Sequence, residues 1–377
     1  MRLLALLAAL TVPAAAHAAP TPLQACSAAA ASALPTGVSA GVYRGTLGTQ
    51  AVTLELGGPA ATGDTPDRYS YDRYGLDLPL VRGRAADRTA NYTLVLAEAV
   101  ETYPDPKPSG CLILNASGTG LSGQWRTPDG KKQLPARLQR INVAAQPLQL
   151  PASPGLLKLR SSDPYTFLKL NRRWISVKGG VQEPLSGVTY PRVVGGTTAL
   201  NLALQDRQLA LAADALECRG GNRELGGDYS GGGTLSWQSA HLISLHEDVD
   251  YYCGGAHPDA YTAGVTLDAR TGQEMTLTGK PASLWPGLTP ARVQAMYLAA
   301  YPQGPDDAEC REALGSEDGR SSEYASFQLY LTRQGLAVWP GFLPHVILAC
   351  AETVTLPYAR LRPLANTAHP AFRDVYR

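Results

Sequence analysis

Six cysteines constrain this chain more than any other feature: Cys26, Cys111, Cys218, Cys253, Cys310 and Cys350, all after an N-terminal stretch that reads as an export leader. Arg2 supplies the positive charge, Leu3 to Val12 a short apolar run, and Ala16-His17-Ala18 the small-x-small pattern of a cleavage site. The expected signal peptide is therefore residues 1–18, cut between Ala18 and Ala19, and the mature chain is expected to be periplasmic or secreted. That run is too short to span a bilayer, and no later stretch is long and apolar enough, so no membrane span is expected after cleavage. An even cysteine count in an oxidising compartment reads as a disulfide set. No C-x-x-C pair is present, which argues against zinc and dithiol redox sites. Many connectivities remain open; sequential pairing, Cys26–Cys111, Cys218–Cys253 and Cys310–Cys350, is the expected one.

The chain's 377 residues leave room for two or three domains at roughly 150 residues each. With 33 Lys+Arg against 32 Asp+Glu, the net charge of +1 gives no reason to expect nucleic acid or an anionic membrane as partner. Gly 38 and Pro 29 suit many turns and short strands. Alternating residues at 51–56 and 92–96, with shorter strand candidates at 112–114 and 124–125, are separated by turn residues such as Gly118-Thr-Gly120 and Pro128-Asp129-Gly130. That spacing predicts an antiparallel β barrel or sandwich over 41–143. A proline-rich linker is expected at 144–155, then a small α+β domain over 156–233 and a second over 234–366. A leucine stripe (Leu202, Leu209, Leu216, widened by Leu200, Leu204 and Leu211) predicts a helix over 199–218. A glycine-rich loop is expected over 220–233, a long strand over 237–252, and a helix capped by Thr289 with Pro290 at its first position. Strands at 326–331, 337–339 and 354–356 complete the pattern. Without βαβ alternation the fold class is α+β.

Tyr251-Tyr-Cys-Gly254-Gly255-Ala256-His257-Pro258, followed by Asp268-Ala-Arg-Thr271-Gly272, then Phe327 to Leu336 and Thr353 to Tyr358, resembles a bacterial extracellular domain family of unknown function shared by RsiV-type anti-sigma factors and PdaC-type peptidoglycan deacetylases. The resemblance covers about 151–364. The stretches around Tyr43-Arg-Gly45, Tyr69 to Gly75, Leu94 to Glu98 and Gly123-Gln-Trp125 resemble a small β domain common in exported bacterial proteins. In the RsiV branch the resemblance implies lysozyme binding. No stretch resembles the cytoplasmic sigma-binding segment or membrane anchor of those factors, or the deacetylases' catalytic domain. The family's Tyr-Ala-Ala-Gly near the last strand stands here as His345-Val-Ile-Leu-Ala-Cys350.

Among candidate functional residues, His257 stands first. Gly254 and Gly255 allow a sharp turn that would present its imidazole. It could act as a general base, or simply tie a hairpin to neighbouring backbone. His246, Asp248 and Asp250 share one strand face and with His257 could be metal ligands, but such residues on an antiparallel sheet are more often solvated, so no metal or other cofactor is expected. No G-x-S-x-G elbow, H-E-x-x-H or P-loop occurs. The 18 tyrosines against four phenylalanines include Tyr251, Tyr252 and Tyr261 beside loops, where they suit partner contact or half-buried strand positions equally. The expected function is a non-catalytic envelope binding protein, its ligand a lysozyme-like protein or peptidoglycan, with Tyr251, Tyr252, Gly254, Gly255, His257 and Tyr261 as the binding set. The alternative is an envelope hydrolase or deacetylase with His257 in acid/base catalysis.

Overall fold

A computed structural model describes residues 20–58, 67–85, 94–100, 107–221, 227–254, 256–304, 307–315 and 327–376. The expected leader and Gly255 lie outside them. A short helix α1 (Pro22–Ala25), closed by a Thr21 capping box, and β1 (Ala28–Ala30) precede eight strands: β2 (Gly41–Leu47), β3 (Gln50–Leu56), β4 (Asp67–Tyr71), β5 (Leu78–Ala85), β6 (Leu94–Val100), β7 (Lys107–Ser117), β8 (Gly120–Arg126) and β9 (Gln133–Arg140). Each is antiparallel to the next, and β2 pairs with β9, so the sheet closes into an eight-stranded up-and-down barrel with no free edge. β1 adds to the far end of β5, and Cys26–Cys111 pins this start of the chain to β7.

Alternation fills the barrel. Val52, Leu54 and Leu56 of β3 point inward with Leu47, Leu80, Leu96, Leu112 and Leu114, each almost wholly buried and each contributing about 1.5–3 kcal/mol. The outward residues Thr53 and Glu55 are buried as well, because the next part of the chain packs over this face.

That part begins with α2 (Pro154–Ser162) and α3 (Pro164–Leu170), capped by Ser153 and Asp163. A six-stranded sheet follows in the order β10 (Ile175–Val177), β11 (Gly180–Gln182), β12 (Thr189–Pro191), β13 (Asp228–Gln238), β14 (Leu242–Tyr252), β15 (Asp259–Asp268). Only β12 and β13 run parallel. The long helix α4 (Thr198–Gly221) sits against it: Leu204, Leu211, Ala212, Ala215 and Leu216 share a core with Ile243, Leu245, Val249, Val265 and Leu267.

The expected loop over 220–233 differs from this arrangement: Gly231, Gly232 and Gly233 are in β13, and the hairpin falls at 239–241 instead. The glycines serve close packing. A Cβ on Gly232 would lie 2.6 Å from the Thr189 carbonyl oxygen, and one on Gly233 2.6 Å from the Tyr190 ring. Trp237 accordingly belongs to β13, and the 233/234 position suggested as a domain boundary lies inside that strand. The chain ends in a three-stranded antiparallel sheet, β16 (Phe327–Leu331), β17 (Gly335–Pro340) and β18 (Val354–Pro357). It packs with α5 (Pro290–Ala300), α6 (Ala308–Gly315), α7 (Tyr358–Leu361) and α8 (Phe372–Val375) around Trp285, Tyr297, Leu331 and Leu356. Thr289 caps α5 as the sequence indicates. All three sequential disulfides form, with Cys218–Cys253 and Cys310–Cys350 completing the set.

A charged knot joins barrel to helices. Arg68 of β4 donates to Glu55 (2.8 Å), Asp77 (3.3 Å) and Asp163 (3.0 Å), and Lys169 of α3 pairs with Asp77. Tyr165 donates to Asp77 (3.0 Å) while both cations lie over its ring. Among the described residues no helix is long and apolar enough to cross a membrane.

Candidate binding site

β14 ends in Tyr251 and Tyr252, and the Cys218–Cys253 bridge fastens that end to α4. Gly254 then adopts φ of +101°, a backbone region that glycine enters without strain, and the chain returns along β15 from Asp259. Around this turn lies a cleft of about 330 Å³ lined by Asp228, Ser230, Asp250, Tyr251, Tyr252, Asp259 and His345. Tyr251 donates to Asp259 across the register (3.3 Å), and Asp259 also accepts from the Ala260 N–H (2.8 Å). Burial and then the Asp259 charge push the Tyr251 hydroxyl pKa up, so it stays a neutral donor. No lysine or arginine lines the cleft among the described residues.

His257 is exposed, with Nδ1 3.0 Å from the Pro258 carbonyl, and its ring lies flat on His345 (centroids 4.0 Å apart, planes 8° apart). His345 Nδ1 is 3.8 Å from Asp259 Oδ1, beyond hydrogen-bond reach, and has no other partner in the described residues. Tyr251 and Tyr252 thus meet in one cleft with the His257–His345 stack at its rim. Tyr261 goes elsewhere: its ring touches Tyr251 edge-on (6.3 Å) but lines a neighbouring cleft with Asp206, Arg207, Asp214 and Glu247. There Glu247 is fully engaged by Tyr190 (2.6 Å) and by Arg207 Nε and Nη2 (2.7 and 3.0 Å).

Sequence reasoning missed His345 and Asp259. His345 arrives from the six-residue 3-10 turn His345–Cys350, held against α6 by Cys310–Cys350. The departure from the family pattern at 345–350 marked the place without saying what it meets. Asp248 and His246 do approach (2.7 Å), but the His246 ring stacks on Tyr330 (4.7 Å) and Asp248 accepts from Thr262. Among the described residues no group of three or more His, Cys, Asp or Glu side chains is arranged to hold a metal ion.

No protein-family profile matches the chain, and no curated protein matches it. Among solved structures, a DUF3298 family protein from Pseudomonas aeruginosa aligns with 17% identity over 45% of this chain and 71% of its own, at a TM-score of 0.28. A likeness at that level carries no argument about activity.

Proposed function

We propose that this chain is an exported, non-catalytic binding protein of the bacterial envelope. Its ligand would be a basic protein of the lysozyme kind, or peptidoglycan, held at the Tyr251–Tyr252 cleft. One observation carries the reading: three aspartates and two tyrosines line the cleft with no cation among them. Such a surface complements a cationic partner, with tyrosines supplying rigid amphipathic contact. Export is supported by the leader pattern and by three disulfides. The alternative, acid/base chemistry at His257, requires a carboxylate in hydrogen-bond reach. The imidazole's neighbours among the described residues are instead the Pro258 carbonyl and the His345 ring.

The test is calorimetric titration of the mature protein with several lysozymes and sedimentation with purified sacculi. Binding that weakens about tenfold in D250N/D259N, and weakens further with added salt, supports the proposal. Failure to bind any lysozyme or sacculi defeats it.

A further inference from the structure

A second cleft, far in character from the first, opens where the barrel meets α3. Its volume is about 310 Å³, and Arg44, Asp72, Gln146, Gln149, Asn171 and Arg172 supply its polar lining, with Pro147 and Leu168 as an apolar flank. Arg44 is held in place: its Nε donates to Thr53 Oγ1 (3.3 Å) and its Nη2 to Asp72 Oδ2 (3.1 Å), while Thr53 donates to the other Asp72 oxygen (2.7 Å). Arg172 follows α3 and is half-buried. Its Nε donates to the Lys169 carbonyl, which aims the guanidinium, and no acceptor for Nη1 or Nη2 occurs among the described residues. The wall behind is rigid, because Asn171 donates to the Pro147 carbonyl (2.9 Å) and accepts from the Gln149 N–H (2.8 Å).

The lining of the cleft carries two guanidinia and one carboxylate. Burial pushes the Arg172 pKa down by more than the nearby Glu183 and Asp72 charges raise it, and Arg44 adds a smaller push in the same direction. Glu183 is itself committed to the backbone N–H groups of Leu185 and Ser186, and Asp72 to Arg44 and Thr53. Two guanidinia therefore line one cleft with a single half-buried carboxylate, and among the described residues the Arg172 fork has no acceptor for Nη1 or Nη2. Planar forks of this kind match a carboxylate bidentately, and flanking amides match sugar hydroxyls or peptide groups.

We infer that this junction is a binding site for a carboxylate carried by a sugar acid or a peptide C-terminus, with Arg172 as the bidentate partner and Arg44 as the second cation. The amides of Gln146, Gln149 and Asn171 serve the rest of the ligand. This site is separate from the tyrosine cleft, so either can fail without the other.

Calorimetry on the mature oxidised chain tests it with four probes: N-acetyl-alanyl-alanine, its methyl ester, glucuronic acid and inorganic phosphate. At least one carboxylate should bind saturably with Kd between roughly 10 µM and 1 mM, and the arm that binds tells peptide from sugar. The ester should bind at least about tenfold more weakly than the acid, and R172Q and R44Q should each weaken the acid about tenfold or more. R172K, which keeps charge but loses the fork, should weaken it too and serves if R172Q does not fold. R333Q, on an exposed turn, should bind as the parent does. The inference is overturned by absence of saturable binding up to roughly 10 mM, by equal affinity for acid and ester, by phosphate binding as tightly as the best carboxylate, or by folded R172Q or R172K variants that bind unchanged.

Discussion

Replacing Arg68 with methionine isolates the charge that ties the barrel to the helices. Methionine replaces the aliphatic stem of Arg68 and removes every donor, along with the guanidinium that lies 4.5 Å over the Tyr165 ring. Glu55, Asp77 and Asp163 would then face Lys169 alone. These groups are well shielded: side-chain exposure is 15% for Arg68, 4% for Glu55, 18% for Asp77 and 25% for Asp163, so solvent screening discounts the interaction only modestly. Burial alone would lower the Arg68 pKa, yet Asp77, Asp163 and Glu55 raise it on balance, which marks the cluster as net attractive. Removing one partner from a buried ionic cluster costs about 3–5 kcal/mol. For a folding unit of this size that corresponds to a Tm roughly 10 °C lower. The assay is thermal and urea unfolding of the oxidised chain followed by near-UV circular dichroism. Combined with D163N in a double-mutant cycle, R68M should show a coupling energy of about 1–3 kcal/mol. A loss under about 1 kcal/mol, or strictly additive variants, would refute the claim that the knot couples the two regions.

D163N alone tests the sign of the pH dependence. Burial raises the Asp163 pKa, but Arg68 and the Thr166 N–H more than reverse this, and the carboxyl lies below its ordinary 3.8. Its contribution is therefore present above that value and lost as pH falls through the folded pKa, so D163N should cost about 1–3 kcal/mol at neutral pH and the deficit should shrink as pH falls below 3.8 in acid-series urea melts. Serine pairs at Cys26/Cys111, separated by 85 residues, should cost about 4.5 kcal/mol, and at Cys218/Cys253, separated by 35, about 4 kcal/mol, read from the same melts. G232A should lose about 1–3 kcal/mol, since its Cβ would lie 2.6 Å from the Thr189 carbonyl oxygen; an unchanged midpoint would show that β12 can move away.

Local chemistry made much of the fold legible. Alternation in β3, the turn at Gly118-Thr119-Gly120 and the Thr289–Pro290 start of α5 each depend on a few adjacent residues, and each lies where the pattern puts it. The α4 stripe was equally plain, because leucines at heptad spacing leave a helix one broad face to bury. Gly231–Gly233 misled for a physical reason. Consecutive glycines signal a loop when only chain entropy is considered, but here they let β13 approach β12 and the Tyr190 ring. That requirement comes from a partner strand about forty residues upstream, and no local pattern announces it.

The candidate sites divide along the same line. Tyr251, Tyr252, Gly254 and His257 form one contiguous string, so their meeting at a single turn is visible in the sequence. His345 reaches His257 only because Cys310–Cys350 fastens its turn to α6, and that bridge joins residues 40 apart. Tyr261, although only ten residues beyond Tyr251, lines the neighbouring cleft: the two lie on the same side of the sheet, edge to face, while the cleft beside Tyr261 is walled by α4. The Arg44–Arg172 cleft lies furthest from sequence reasoning. Its two cations are separated in sequence by most of the barrel, and nothing local to either one points to the other. What makes them a pair is the packing of α3 on the barrel wall, and what makes the pair reactive toward a carboxylate is that Asp72 is already committed to Arg44 and Thr53. A binding site of this kind is defined by an unmet hydrogen-bonding demand, a quantity that exists only once the chain has folded.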